Sequence, residues 1–225
     1  MLTIGGARLA RPSKHEEMRR KLKKAAIRIA AREGIENLTT KKIARAASLA
    51  EVYIYRYFDG KDDLLQRCFL DIDKQIGEIV CQACVETQKN GDTMYTAIQY
   101  IWMKYWDFLL RHPENTLYYF RYYLSANYTD DAAQQRRKNY ENLVTKALSE
   151  TRRTIFSDRD ILWGLLDHVT DNTLICAVRM IRDRVIRERS KPTQAEVELI
   201  YRLVVIPAIH VVNEVLIESE NNHDG

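Results

Sequence analysis

Residues 48 to 61 combine apolar, aromatic and basic side chains in a pattern that could bind a nucleic acid. A short helix here would need apolar residues on one side to dock on neighbouring helices. These are Leu49, Val52, Ile54 and Phe58. Its other side would carry polar and aromatic residues that can contact phosphates and base edges. These are Glu51, Tyr53, Tyr55, Arg56 and Tyr57.

Lys61 could supply a phosphate contact beside this helix. It follows Gly60 and opens a long amphipathic pattern whose first turn holds Asp62 and Asp63, as expected at a helix N-terminus. The backbone N–H groups of that terminus and the Lys61 ammonium could therefore bind one phosphate together.

Three helical segments must position these side chains. The first is expected to begin at Ser13, an N-cap residue with Glu16 three residues later, and to end at Gly34. The second follows Thr39 as N-cap, and a tight turn at Ser48 separates it from the third. Two short helices joined by such a turn are typical of a helix-turn-helix, whose second helix enters the major groove of B-DNA.

The charge distribution favours a polyanionic partner for this part of the chain. Up to Leu65 there are 15 Lys and Arg against 8 Asp and Glu, and beyond it 20 against 23. Residues 1–12 have no helical period and are expected to form a flexible basic arm, in which Arg8 and Arg11 could contact phosphates. The alternative is that the basic residues simply form a solvated helix face.

Residues 18 to 65 resemble the DNA-binding domain of the tetracycline-repressor (TetR) family of bacterial regulators. The resemblance lies in an ordered series of residues at fixed spacing. The series is Ala26, Gly34, Thr39-Thr40, Ile43-Ala44, Ala47, Ile54-Tyr55, Tyr57-Phe58, Lys61 and Leu64-Leu65. It implies a DNA-binding domain over residues 13–65, followed by a helical ligand-binding and dimerisation domain over 66–225. The expected fold is all-α, with about nine helices.

The resemblance also implies roles for individual residues. The second helix would bring three residues to the DNA backbone or groove: Thr39, Thr40 and Lys41. In the third helix Val52 and Tyr53 would face bases, and Arg56 would contact a base or a phosphate. Phosphates would be held by Tyr55, Tyr57 and Lys61.

The turn before the third helix departs from the family pattern. Ser48 replaces the usual glycine, Ala50 replaces the usual serine or threonine cap, and Val52 replaces a small residue. Ser48 and Glu51 have the spacing of a capping box, which would make Glu51 structural. Alternatively, a positive φ at the turn would exclude a capping role for Ser48 and leave Glu51 free to accept a hydrogen bond from cytosine.

Aromatic residues crowd the middle of the remaining chain and are candidates for a ligand pocket. Stacking and cation–π contacts would suit a flat apolar or a cationic ligand. The candidate lining residues are Trp102, Trp106, Tyr119, Tyr123, Trp163 and Asp167. The last two helical runs are rich in apolar residues, and the second is apolar almost all round, which predicts that they pack against a second copy as a four-helix bundle.

The other patterns argue against catalysis, metal binding and a membrane. With 46% hydrophobic residues, 29% charged residues and only 8 glycines and 4 prolines, the chain is neither disordered nor all-β. Asp167, His168 and Asp171 favour a polar stripe at a dimer interface over a metal site, and the Cys81-x-x-Cys84 pair lacks a second such pair. No catalytic motif, cofactor site or transmembrane run is visible, and few cysteines favour a reducing, cytoplasmic compartment.

These observations predict a ligand-responsive transcriptional regulator, a homodimeric repressor that a small molecule releases from a palindromic operator. Two alternatives stay open. One is a helical adaptor that binds an acidic protein partner, and the less favoured one is a helical metal-dependent enzyme.

Overall fold

A computed structural model describes residues 13–148 and 159–221, with side chains described except at 94, 140–148, 159–166 and 212–221. These ranges contain nine α-helices and no strand, which confirms the all-α expectation. The helices are α1 Lys14–Glu33, α2 Thr40–Ala46, α3 Val52–Tyr57, α4 Lys61–Asn90, α5 Met94–Arg111, α6 Pro113–Tyr123, α7 Asp130–Leu148, α8 Arg159–Met180 and α9 Gln194–Asn221. A π-helical segment, Ile181–Glu188, continues α8. The proposed arm over residues 1–12 lies outside the described residues.

Helix α1 begins and ends at the residues that the sequence indicates. The Ser13 hydroxyl accepts from the Glu16 N–H at 3.2 Å, and the Glu16 carboxylate accepts from the Ser13 N–H at 2.8 Å. This capping box is therefore confirmed. At the other end Gly34 has φ 97°, a left-handed backbone conformation that glycine adopts without a steric penalty.

The turn between α2 and α3 excludes the second capping box. Thr39 caps α2 by accepting from the Lys42 N–H at 3.2 Å. Ser48 has φ 56°, and the backbone passes through the turn with a Leu49 N–H bond to the Ala44 carbonyl at 2.9 Å. The N-cap position of α3 is Glu51, whose side chain makes no capping bond. Ser48 and Glu51 thus form no capping box, because a left-handed turn residue cannot also have the extended conformation of an N-cap.

Replacing Ser48 with glycine is expected to stabilise the protein. The left-handed conformation costs an L-residue about 1 kcal/mol, which corresponds to a rise in Tm of about 2–4 °C for a chain of this size. Thermal unfolding followed by circular dichroism measures the shift. The matched control is Ala46→Gly at the last residue of α2, which should lower Tm because glycine weakens a helix. A lower Tm for Ser48→Gly would contradict the strain at this turn.

Helix α4 belongs both to the helix-turn-helix and to the body. It begins after Gly60, packs against α1, and buries Leu64 and Leu65 near its start in the N-terminal core. Further along, Phe69 is fully buried against aromatic rings of α6. The core is therefore continuous from the N-terminal helices into the body.

Helix α6 joins the N-terminal helices to the body. The Tyr118 hydroxyl donates to the Leu65 carbonyl of α4 at 2.6 Å, and the Arg121 guanidinium donates to the Ala30 carbonyl of α1 at 2.5 Å. The same helix also packs against α8. A movement of α6 would therefore also displace the segments of α1 and α4 to which it is bonded.

Helix α9 leaves large apolar side chains uncovered in the single chain. Leu203 is 67% exposed, and Leu199 and Val211 are also exposed. The expectation that an all-apolar helix is buried on every side is thus not met within one copy. In the described part of the chain, no helix is long and apolar enough to span a bilayer.

Candidate nucleic-acid interface and body cluster

The outward face of α3 is formed by Val52, Tyr55 and Arg56. Val52 is 66% and Tyr55 63% exposed, and Arg56 is exposed as well. On the opposite side Ile54 and Phe58 are buried and attach α3 to the N-terminal core. The docking role expected for Val52 from the apolar pattern is therefore wrong, because its position on the helix points it away from the core. Its exposure instead agrees with the position implied by the family resemblance.

Tyr53 and Tyr57 are half-buried, unlike Tyr55. Their rings stack on each other with centroids 6.0 Å apart, and His15 of α1 meets the Tyr57 ring edge-on at 4.5 Å. Both tyrosines also pack against the N-terminal core. The two rings thus brace α3 against α1, so that only part of each side chain is available to a ligand.

Glu51 is bonded to Thr40, a contact that sequence reasoning missed. The Thr40 hydroxyl donates a hydrogen bond to the Glu51 carboxylate, which links the start of α2 to the start of α3. Glu51 is exposed, and Thr40 is partly exposed. A bond across the turn has no periodic signature, so nothing in the spacing of the two residues indicates it.

The Glu51→Gln variant is expected to bind random-sequence DNA more tightly than the wild type. The amide oxygen of glutamine can still accept from Thr40, while the negative charge that repels phosphates is lost. We expect the affinity to rise by about threefold to tenfold at low salt. Fluorescence anisotropy with a labelled duplex measures it, and Glu78→Gln, an exposed change on the outer part of α4, is the control. Equal affinities for wild type and variant would place the carboxylate away from the DNA backbone.

Basic residues near α3 divide into exposed ones and ones already engaged within the protein. Lys41 is exposed, and Lys61 at the N-terminus of α4 is partly exposed with its ammonium 3.9 Å from Asp62. By contrast, Lys23 pairs with Asp71 at 2.6 Å, and the Arg28 guanidinium donates to the Ala46 carbonyl at 3.3 Å. Part of the basic face of α1 is therefore structural, which the charge count alone could not show.

The two candidate tryptophans of α5 lie side by side in the body. The rings of Trp102 and Trp106 stack at 5.4 Å, and the Trp102 indole N–H donates to the Thr173 hydroxyl of α8 at 3.0 Å. Trp106 is 2% exposed, and its indole N–H has no hydrogen-bond partner among the described residues. The third candidate, Trp163, belongs to α8, but its side chain lies outside the described part of the chain.

The remaining candidates, Tyr119, Tyr123 and Asp167, lie near two charged residues that the sequence pattern does not indicate. These are Asp73 and Arg136. The Tyr119 hydroxyl donates to Asp73 Oδ1 at 2.7 Å, and Arg136 lies with its Nε 3.4 Å from the same oxygen. The Arg136 guanidinium also lies over the Tyr123 ring at 5.2 Å and 3.8 Å from Asp167. We call Asp73, Tyr119, Tyr123, Arg136, Asp167 and Asp171 the body cluster. Asp73 could have been noticed, since it is a charged residue among the buried positions of α4.

The metal and cysteine patterns lead to no site in the described residues. Within ranges 13–148 and 159–221, no three His, Cys, Asp or Glu side chains are arranged to hold a metal ion. Asp171 accepts instead from the Tyr123 hydroxyl at 3.2 Å. Burial raises the pKa of Cys84 to about 11, which favours a packed thiol over a thiolate ligand.

Comparisons with known proteins agree with this geometry. Residues 22–68 match the model of bacterial regulatory proteins of the tetR family. A TetR-family transcription regulator of Marinobacter aquaeolei VT8 is 19% identical, with a TM-score of 0.63 over 84% of this chain and 94% of its own. A second protein named for the same family, from Shewanella sp. PV-4, is 16% identical, with a TM-score of 0.65 over 83% of this chain and 95% of its own.

A third structure is the fatty acid degradation regulator FadR of Bacillus halodurans. It is 18% identical, with a TM-score of 0.58 over 83% of this chain and 94% of its own. At such identities the likeness to solved structures concerns the fold. Residues 22–68 of this chain are therefore similar to the N-terminal domain of the tetR family of bacterial regulatory proteins, and the chain has the fold of solved TetR-family transcription regulators.

Proposed function

We propose that this protein is a homodimeric, ligand-responsive repressor that binds a palindromic operator through α3. The observation that carries the proposal is the outward face of α3, where Val52, Tyr55 and Arg56 are exposed while Ile54 anchors the helix. A short helix held in this way at the surface can enter the major groove. A regulator of this kind acts in the cytoplasm and needs neither a cofactor nor catalytic residues.

The proposed DNA contacts follow the exposure of the side chains. Val52 and the half-buried Tyr53 would contact bases, and Arg56 would contact a base or a phosphate. Phosphate contacts would come from Tyr55, Tyr57 and Lys61, and the start of α2 would approach the DNA backbone or groove. The α2 residues are Thr39, Thr40 and Lys41.

The dimer would form through α8 and α9. The uncovered side chains of Leu199, Leu203 and Val211 on α9 support this, because a second copy would remove them from water. Twofold symmetry would place two α3 helices in successive major grooves about 34–36 Å apart. We accordingly propose a DNA-binding domain over residues 13–65 and an effector-binding and dimerisation domain over 66–225.

The proposed effector would bind the body near Trp102, Trp106, Tyr119, Tyr123, Trp163 and Asp167. Ligand binding can release DNA only if the ligand prefers a conformation with another spacing of the two α3 helices. Helix α6 supports such coupling, since it carries Tyr119 and Tyr123 and also bonds to α1 and α4. A small shift at the ligand would thereby reach the helix-turn-helix.

The salt dependence of DNA binding tests the proposal. An operator is first selected from random DNA, and its affinity is then measured by anisotropy over a series of salt concentrations. The logarithm of affinity should fall linearly with the logarithm of salt, and Lys61→Ala should reduce the slope by about one. Lys74→Ala, an exposed lysine on the outer part of α4, should leave the slope unchanged. Absence of salt-dependent DNA binding, or an equal effect of the two variants, would refute the proposed interface.

A further inference from the structure

The buried carboxylate of Asp73 in the body has one oxygen without a hydrogen-bond donor among the described residues. Asp73 is 1% exposed, and its Oδ1 accepts from Tyr119 and lies near Arg136. The Asn139 side chain also lies near this carboxylate, but Oδ2 is buried and has no donor at hydrogen-bond geometry among the described residues. A buried carboxylate oxygen normally has a donor, because its desolvation is costly without one. The orphaned Oδ2 therefore indicates a place where a donor from another molecule would be stabilised.

A second carboxylate belongs to the same cluster. Asp171 of α8 is half-buried and accepts from the Tyr123 hydroxyl, whose ring lies beneath the Arg136 guanidinium. Tyr105 of α5 lies within reach of all three charges: burial raises its pKa, Arg136 lowers it, and Asp171 and Asp73 raise it further. Asp73, Arg136 and Asp171 thus each lie near one or more of Tyr105, Tyr119 and Tyr123.

The charges of this region do not balance. Arg136 faces three carboxylates, those of Asp73, Asp167 and Asp171. Burial raises the pKa of both Asp73 and Asp171, although the positive charge of Arg136 opposes the shift. The ionised forms of these two carboxylates are thus destabilised by the partly desolvated aromatic surrounding, and an added positive charge nearby would stabilise them.

We propose that the effector is an organic cation with an aromatic or apolar body, and that its charged group lies between Asp73 Oδ2 and Asp171. The inference rests on the proposed ligand-responsive function and names the class of ligand. The cation would donate to Oδ2, and its apolar part would contact the surrounding tyrosine rings. An anionic ligand is disfavoured, because the guanidinium in this region is already shared by Asp73 and Asp167.

Three probes with the same ring and different charges test the proposal. Pyrenebutylamine is a cation at neutral pH, pyrenebutanol is neutral and pyrenebutyrate is an anion. Energy transfer from the protein's tryptophans to pyrene measures the binding of each probe to the full chain. We expect the cation to bind at least about tenfold more tightly than the anion, as the loss of a charged hydrogen bond would imply.

Two substitutions locate the charged group. Asp73→Asn and Asp171→Asn should each weaken the binding of the cation by about tenfold and leave the affinity for pyrenebutanol nearly unchanged. Asp107→Asn, which removes a carboxylate paired with Arg111 on the outer side of α5, is the matched control and should change neither probe. Circular dichroism verifies that each variant is folded, and Asp171→Asn serves if Asp73→Asn does not fold. A purely structural role for Asp73 would weaken all three probes equally.

The outcomes separate this inference from the proposed function. Tighter binding of pyrenebutyrate, equal weakening of all probes by the variants, or no binding of any probe up to about 1 mM would overturn the cationic site. In each of those cases, salt-dependent operator binding by the same preparation would still support the proposed regulator function. Loss of operator binding, by contrast, would refute the regulator whatever the probes do.

Discussion

Replacing Phe69 with alanine is expected to lower the free energy of unfolding by about 3–5 kcal/mol. The side chain is fully buried in α4, and its ring stacks on Tyr119 at 4.6 Å and on Tyr122 at 4.9 Å. Truncation leaves a cavity where the core passes from the N-terminal helices into the body. The lost free energy has two parts. One is the transfer free energy of the buried ring, and the other is the loss of packing contacts by its neighbours, which cannot fully fill the cavity.

Urea denaturation followed by circular dichroism measures the Phe69 effect. The control is Leu124→Ala, an exposed apolar residue just after α6, whose loss should change stability by less than about 0.5 kcal/mol. Two well-separated unfolding transitions in the wild type would mean that the N-terminal helices and the body unfold independently. A loss below about 1 kcal/mol for Phe69→Ala would contradict the continuous core.

Replacing Ile54 with alanine is expected to reduce operator affinity by tenfold or more. Helix α3 has only six residues and no side-chain cap, so it has little stability of its own. Ile54 is its fully buried anchor, and a buried isoleucine truncated to alanine costs about 2–5 kcal/mol. The free protein would then populate states with α3 undocked, and DNA binding would have to restore the docked helix.

Val52→Ala is the matched control for Ile54→Ala. Both are β-branched residues of the same helix, but Val52 is exposed. Its truncation should leave the midpoint of urea unfolding unchanged and should weaken mainly the binding of the selected operator. Anisotropy on operator and random DNA separates the two effects: Ile54→Ala should weaken both duplexes, and Val52→Ala mainly the operator. Full affinity of Ile54→Ala for both duplexes would contradict the role of α3.

Several helix boundaries could be predicted from the sequence, because their signals are local. Ser13 and Thr39 cap their helices as expected, and Gly34, Gly60 and Gly91 lie at helix ends with positive φ. In each case the residue type directly satisfies a backbone conformation or an unpaired N–H group within a few residues. The order of the first four helices follows from these signals alone.

The candidate site was predictable only in part. The exposed positions of Tyr55 and Arg56 agree with a simple two-sided helix. The half-burial of Tyr53 and Tyr57 does not, because it depends on His15 of another helix. A helix of six residues is too short for its periodicity to tell which aromatic rings turn inward.

By itself the amino-acid sequence determined an all-α chain with a helix-turn-helix near its N-terminus, since caps, turns and apolar periodicity act between neighbouring residues. The tertiary structure alone decided which polar groups meet, as in the bond from Thr40 to Glu51 and the pairing of Asp73 with Arg136. Those partners come from different helices, and their distance is set by how the helices pack. The candidate DNA-binding helix α3 could thus be located from its local pattern, whereas the contacts of the body cluster required the packed fold.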